Sequence, residues 1–69
     1  MNLWLHDGTE RDVDRDAHRV YLDGTAVPRP LAAAVGERGW VRLADPRGAE
    51  RLERGRVEVL VVDTGTVLR

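Results

Sequence analysis

Four turn signals divide this chain of 69 residues into short segments. Asp7-Gly8 separates Leu3-Trp4-Leu5-His6 from Thr9-Glu10-Arg11-Asp12-Val13, and Asp23-Gly24 separates Arg19-Val20-Tyr21-Leu22 from Thr25-Ala26-Val27. A two-residue hairpin of type I′ needs positive φ at both central positions, which Asp tolerates and Gly adopts freely, so each Asp-Gly predicts a hairpin. Asp45-Pro46-Arg47-Gly48 is a third turn, with Pro pre-set for an early turn position and Gly open to positive φ. Asp63-Thr64-Gly65 is a fourth, ahead of Thr66-Val67-Leu68. Strands of about five residues fit between such turns.

The intervening segments alternate as half-buried strands do. Leu3 and Leu5 share a face, as do Val20 and Leu22; Val41 and Leu43 point opposite to Trp40 and Arg42. Val57, Val59 and Val61 form the longest stripe, while Leu60 and Val62 occupy the other face of the same segment. That pattern predicts a central strand covered on both faces near its end. Leu31-Ala32-Ala33-Ala34-Val35, after Pro30 and before Gly36, is the one stretch with helical signals, because Pro favours a helix start and Gly a helix end. The polar segment 10–19 reads as a loop.

A chain this short buries only about 60% of its unfolded surface and often leans on a disulfide, a metal or a partner. With no Cys, a disulfide and a thiolate-bound zinc are both excluded. No apolar run approaches the roughly 18 residues of a membrane-spanning helix, and the first residues lack the basic-then-apolar pattern of a secretory signal. The formal net charge of −1 argues against specific binding to nucleic acid. The charge is uneven, however. Residues 1–23 carry six acids against three Arg, a balance of −3, and residues 24–69 carry six acids against eight Arg, a balance of +2. Complementary halves suit contact between copies.

Few residues have the chemistry of a reactive site. Asp12, Asp14 and Asp16 have calcium-loop spacing, but the loop's sixth position is Ala17 instead of Gly and its twelfth is Asp23 instead of Glu. A solvated acidic edge balanced by Arg11, Arg15 and Arg19 is the expectation. His6 and His18 have no carboxylate or nucleophile at a recognised catalytic spacing and are expected at the surface or an edge. The absence of Ser removes a serine triad, and Gly36 and Gly39 lack the Lys-Ser/Thr of a phosphate loop. Pro28-Arg29-Pro30 reads as a strand end and linker. Trp4 and Trp40 stand opposite the apolar stripes of their strands. Because Trp and Arg are enriched at interface hot spots, Trp4, Trp40, Arg38 and Arg42 are the candidate partner-binding residues. All the cationic side chains except His are Arg, whose planar fork pairs with carboxylates.

The order of the segments resembles a loose group of small β-rich accessory and virion proteins from tailed phages of GC-rich bacteria. The matching features are Asp7 to Glu10, Val20 to Gly24, Gly39 to Leu43, Asp45 to Gly48 and Gly55 to Val59. The resemblance implies a phage-encoded virion or accessory protein and carries over no catalytic residue.

These readings predict one all-β domain over residues 1–69, a small antiparallel barrel or sandwich of five to seven short strands with at most one short helix. The expected function is a non-enzymatic structural module, a capsid-decorating or head-associated protein bound to a larger lattice such as a major capsid protein. Self-association is a further expected contact, and the chain's ends or indoles are expected to help hold it in place. No cofactor, metal, membrane or specific nucleic acid is expected. Its place would be the virion, after synthesis in the host bacterial cytoplasm. The alternative is a small regulatory β module that binds a host protein or nucleic acid.

Overall fold

One strand, Glu50–Val61, positions the others. The structure, a computed structural model, describes residues 8–69. The Leu3 and Leu5 stripe, Trp4, His6 and the first residue of the Asp7-Gly8 turn lie outside the described residues. Within them the chain forms seven strands and no helix: β1 Arg11–Asp12, β2 His18–Leu22, β3 Thr25–Ala26, β4 Pro30–Ala34, β5 Gly36–Ala44, β6 Glu50–Val61 and β7 Thr66–Leu68. All pair antiparallel in a single sheet, ordered β1-β4-β5-β6-β2-β3, with β7 also on β6. The all-β antiparallel architecture is as expected; the sheet is not closed into a barrel.

Strand lengths depart from the expected five residues. β6 runs for 12 and β5 for 9, whereas β1 and β3 have 2 each. β6 is long because its two halves use different neighbours. Residues 50–57 pair with β5, residues 57–61 with β2, and residues 59–61 also with β7. The Val stripe lands as expected at its start, with Val57 and Val59 fully buried. The opposite face is not closed over: Leu60 is half-buried, and Val62 is 43% exposed in the turn beyond the strand.

The helical expectation for residues 31–35 is overturned, since Leu31 to Ala34 belong to β4. A five-residue segment gains little from helix formation, because the first turn fixes several residues for a single hydrogen bond. As a strand, its backbone finds partners on both edges: Ala32 and Ala33 pair with Asp12 and Arg11 on one side and with Arg42 and Val41 on the other. Ala32, Ala33 and Ala34 are all buried, so their short side chains admit close neighbours on both faces. The polar segment 10–19 is also more ordered than a loop, giving β1, a turn at 15–17 and the start of β2.

The turns form where their residues require. Asp23 and Gly24 both have positive φ, 50° and 84°, and join β2 to β3. Asp45 closes the β5–β6 hairpin: its Oδ1 accepts the N–H groups of Arg47 and Ala49 at 2.8 and 3.0 Å, and its carbonyl accepts that of Gly48 at 2.9 Å. Gly65 donates to the Val61 carbonyl at 2.8 Å in the turn before β7. Pro28 and Arg29 lead into β4 through a bend in which Arg29 has φ of 51°.

Two glycines permit backbone contacts that a side chain would block. A Cβ on Gly39 would overlap the Ala34 carbonyl oxygen and lie 2.9 Å from the Val57 side chain. One on Gly55 would lie 2.8 Å from the Asp23 carboxylate. Gly39 and Gly55 face each other across β5 and β6.

The core is small: Val20, Ala33, Val35, Val41, Leu43, Val57 and Val59, with Val13, Leu22, Val27 and Leu68 packed against it. The radius of gyration is 10.9 Å, close to the roughly 11 Å expected for a compact chain of this size, so the sheet curls around that core. Val59 lies at its centre, between Val20 on β2 and Leu68 on β7. Val59→Ala is expected to cost on the order of 1–3 kcal/mol in a urea unfolding titration. Val62→Ala, at an exposed turn position, should change stability by less than about 0.5 kcal/mol.

Candidate functional site

The register of β5 against β6 shifts between Gly36 and Gly39, where Glu37 and Arg38, both exposed, stand against the single residue Arg56, so that β5 carries one extra residue. Bulges redirect side chains and commonly lie beside functional surfaces. Here Glu37, Arg38 and Gly39 form one wall of a shallow cleft of about 310 Å³, with Arg54 and Gly55 on the other.

The face beside the cleft follows from strand pairing. Residues directly opposite in an antiparallel pair project to the same side. Trp40 is opposite Arg54 on β6 and Ala34 on β4, and Arg42 is opposite Leu52 and Ala32. Trp40, Arg42, Leu52 and Arg54 therefore share the outer face, away from Val41 and Leu43. Leu52 is 45% exposed and Trp40 is half-buried.

The arginines of this region divide into held and free. Arg42 pairs with Glu10 at 2.9 Å, and its Nε is buried without a hydrogen-bond partner. Arg56 and Arg69 share Glu58 at 3.4 and 3.5 Å. Arg38 and Arg54 have no ion-pair partner among the described residues. Their guanidinium groups keep all their donors available to a carboxylate.

Of the four residues singled out from sequence, the structure gathers Arg38 and Trp40 around the cleft and its adjoining face. Arg42 lies on the same face but is engaged with Glu10. Trp4 lies outside the described residues. Leu52 and Arg54 are not among those four, since nothing in the local sequence marks them out within a charged segment. Their opposition to Arg42 and Trp40 emerges only from the register.

The acidic segment and the buried histidine serve local structure. Asp12, Asp14 and Asp16 are exposed, and Asp14 Oδ1 accepts the Asp16 N–H at 3.0 Å. Among the described residues no group of three or more His, Asp or Glu is gathered as metal ligands would be. Of the surface or edge position expected for His18, the surface part is corrected: the side chain is 7% exposed, on the same face of β2 as Val20. Its Nδ1 accepts the Asp14 N–H at 3.2 Å, which leaves the ring proton on Nε2 in the neutral form.

Compared with known proteins, the chain matches no family model, no curated protein sequence and no solved structure. Its chemistry is therefore read from its own residues. His18→Ala removes a buried ring and the partner of a backbone N–H, and should cost roughly 1–3 kcal/mol by chemical denaturation. Asp12→Ala, at an exposed position, should stay within about 0.5 kcal/mol of the parent.

Proposed function

We propose that the chain is a non-enzymatic β module that docks onto a larger protein assembly, as a virion accessory that decorates a capsid or associates with the head. The observation that supports this reading is the meeting of Trp40, Leu52 and two arginines without ion-pair partners among the described residues, Arg38 and Arg54, around one cleft and its adjoining face. An aromatic anchor and available Arg forks are the residue types enriched at interface hot spots, and Leu52 adds exposed apolar area beside them. Arg38 and Arg54 would meet carboxylates on the lattice, adding specificity and association rate more than affinity. Each contact would be modest, and repetition over a symmetric shell would multiply it. A small core without disulfides also suits a protein stabilised by binding, because a partner that favours the folded state raises its stability by mass action. In this reading the chain uses no cofactor and no nucleic acid, and it works in the virion.

The test is occupancy on the isolated particle. Trp40→Ala and Arg38→Ala should fold as the parent does by circular dichroism. Trp40→Ala should bind the particle roughly tenfold or more weakly, the loss expected for an aromatic hot spot. Trp4→Ala is measured in parallel, since Trp4 is the second expected anchor. Undiminished occupancy for all three variants, or a wild type that never copurifies with a larger structure, contradicts the reading.

A further inference from the structure

We propose that the chain forms a two-fold dimer in which residues 50–54 of β6 pair antiparallel with the same residues of a second copy. This goes beyond docking on a lattice and does not depend on it. Backbone and side chains lead to the same register independently.

Among the described residues, the backbone leaves one edge of β6 open. At the hairpin end the Asp45 N–H donates to the Ala49 carbonyl at 2.8 Å, in line with the β5–β6 register. The odd residues from 49 to 55 therefore turn their N–H and C=O groups toward β5, because peptide groups alternate sides along a strand. At the other end, the Arg56 carbonyl accepts the Asp23 N–H at 2.9 Å, and the Arg56 N–H donates to Asp23 Oδ1 at 3.0 Å. The even residues thus turn away from β5. β2 covers that side only from Val57 onward. Among the described residues, no strand pairs with β6 on that side at Glu50, Leu52 or Arg54. Such an edge is a template for another strand. The Asp45–Ala49 turn bounds it at one end and Asp23 at the other, so a short segment fits.

The side chains identify the occupant. Residues 50–54 read Glu-Arg-Leu-Glu-Arg, and reversal about Leu52 changes the sign of every charge. With Leu52 opposite the partner's Leu52, Glu50 faces the partner's Arg54, and Arg51 faces the partner's Glu53. The reciprocal pairs repeat across the axis. Shifting the register by one or two residues sets Arg against Arg or Glu against Glu, and like charges directly opposite are destabilising. The Leu52-centred register also pairs even residues with even residues, the ones whose backbone groups are open.

The isolated chain has unmet capacity at these positions. Glu50 and Arg54 have no ion-pair partner among the described residues, and Leu52 is 45% exposed. Arg51 and Glu53 are 3.2 Å apart, with both side chains well exposed. In the dimer they would join a four-charge cluster across the axis, and the two Leu52 side chains would cover each other. β5 and β6 of both copies would form one continuous sheet bearing both Trp40 faces.

Sedimentation over a wide concentration range tests this, with circular dichroism confirming that each variant is folded. The wild type should pass from single-chain to doubled mass as concentration rises. Arg51→Glu with Arg54→Glu makes the strand all acidic, and Glu50→Arg with Glu53→Arg makes it all basic. Each double variant alone should lose the doubled mass, and an equal mixture should regain it. A variant carrying all four exchanges restores the antisymmetry and should dimerise as the wild type does. A wild type that keeps single-chain mass throughout overturns the proposal. So does either double variant that self-associates like the wild type, or a mixture that fails to associate.

Discussion

Backbone hydrogen bonding along β6 is the constraint on which this structure depends. The strand has two edges and more claimants than one edge can serve. Around Gly55 the partnership changes: β5 holds the first half, and β2 and β7 enclose the second. The handover is close-fitting, with the Asp23 carboxylate against Gly55 and bonded to the next amide, Arg56. Where β6 is held on both edges its inward residues, Val57 and Val59, are fully buried. Where, among the described residues, it is held on one edge, its side chains are charged or, like Leu52, exposed. The division between buried core and exposed surface thus lies within a single strand.

The outer surface is a consequence of the same pairing. Trp40 stands opposite Arg54 because β5 and β6 are in register beyond Gly39, and the bulge that precedes it aims Arg38 at the same cleft. The buried alanines of β4 leave room beneath Trp40 and Arg42. The Arg42–Glu10 pair ties the segment before β1 to this face; partly exposed as it is, such a pair contributes little stability and mainly fixes position. The edge of β6 and its outer face together offer two different kinds of contact, one through backbone groups and one through an indole and guanidinium forks.

Much of the fold is legible in the sequence because it depends on local signals. Asp23-Gly24, Asp45 to Gly48 and Asp63 to Gly65 mark turns through φ requirements that few other residues meet, and the valines of β6 mark burial by period. Ala32 to Ala34 mislead for a physical reason. Alanine's helix preference is a weak local term, and two waiting strand edges outweigh it. His18 misleads in the same way, because its burial depends on the turn that brings the Asp14 N–H to its ring. The site is less legible than the fold. Arg38 and Trp40 were visible as residue types, but Leu52 and Arg54 gain significance only from cross-strand register, which a bulge at Gly36–Gly39 shifts. The antisymmetry of residues 50–54 is present in the sequence, yet it carries no meaning until strand pairing leaves that edge without a partner among the described residues.

Amide hydrogen exchange, resolved by residue in protein dilute enough to be monomeric, tests the division of β6 most directly. The account predicts slow exchange at Glu53, Gly55 and Val59, whose amides are bonded to neighbouring strands, and fast exchange at Leu52 and Arg54, whose amides face the open edge. Equal protection of Leu52 and Glu53 would contradict it, because β6 would then have the same neighbours along its whole length.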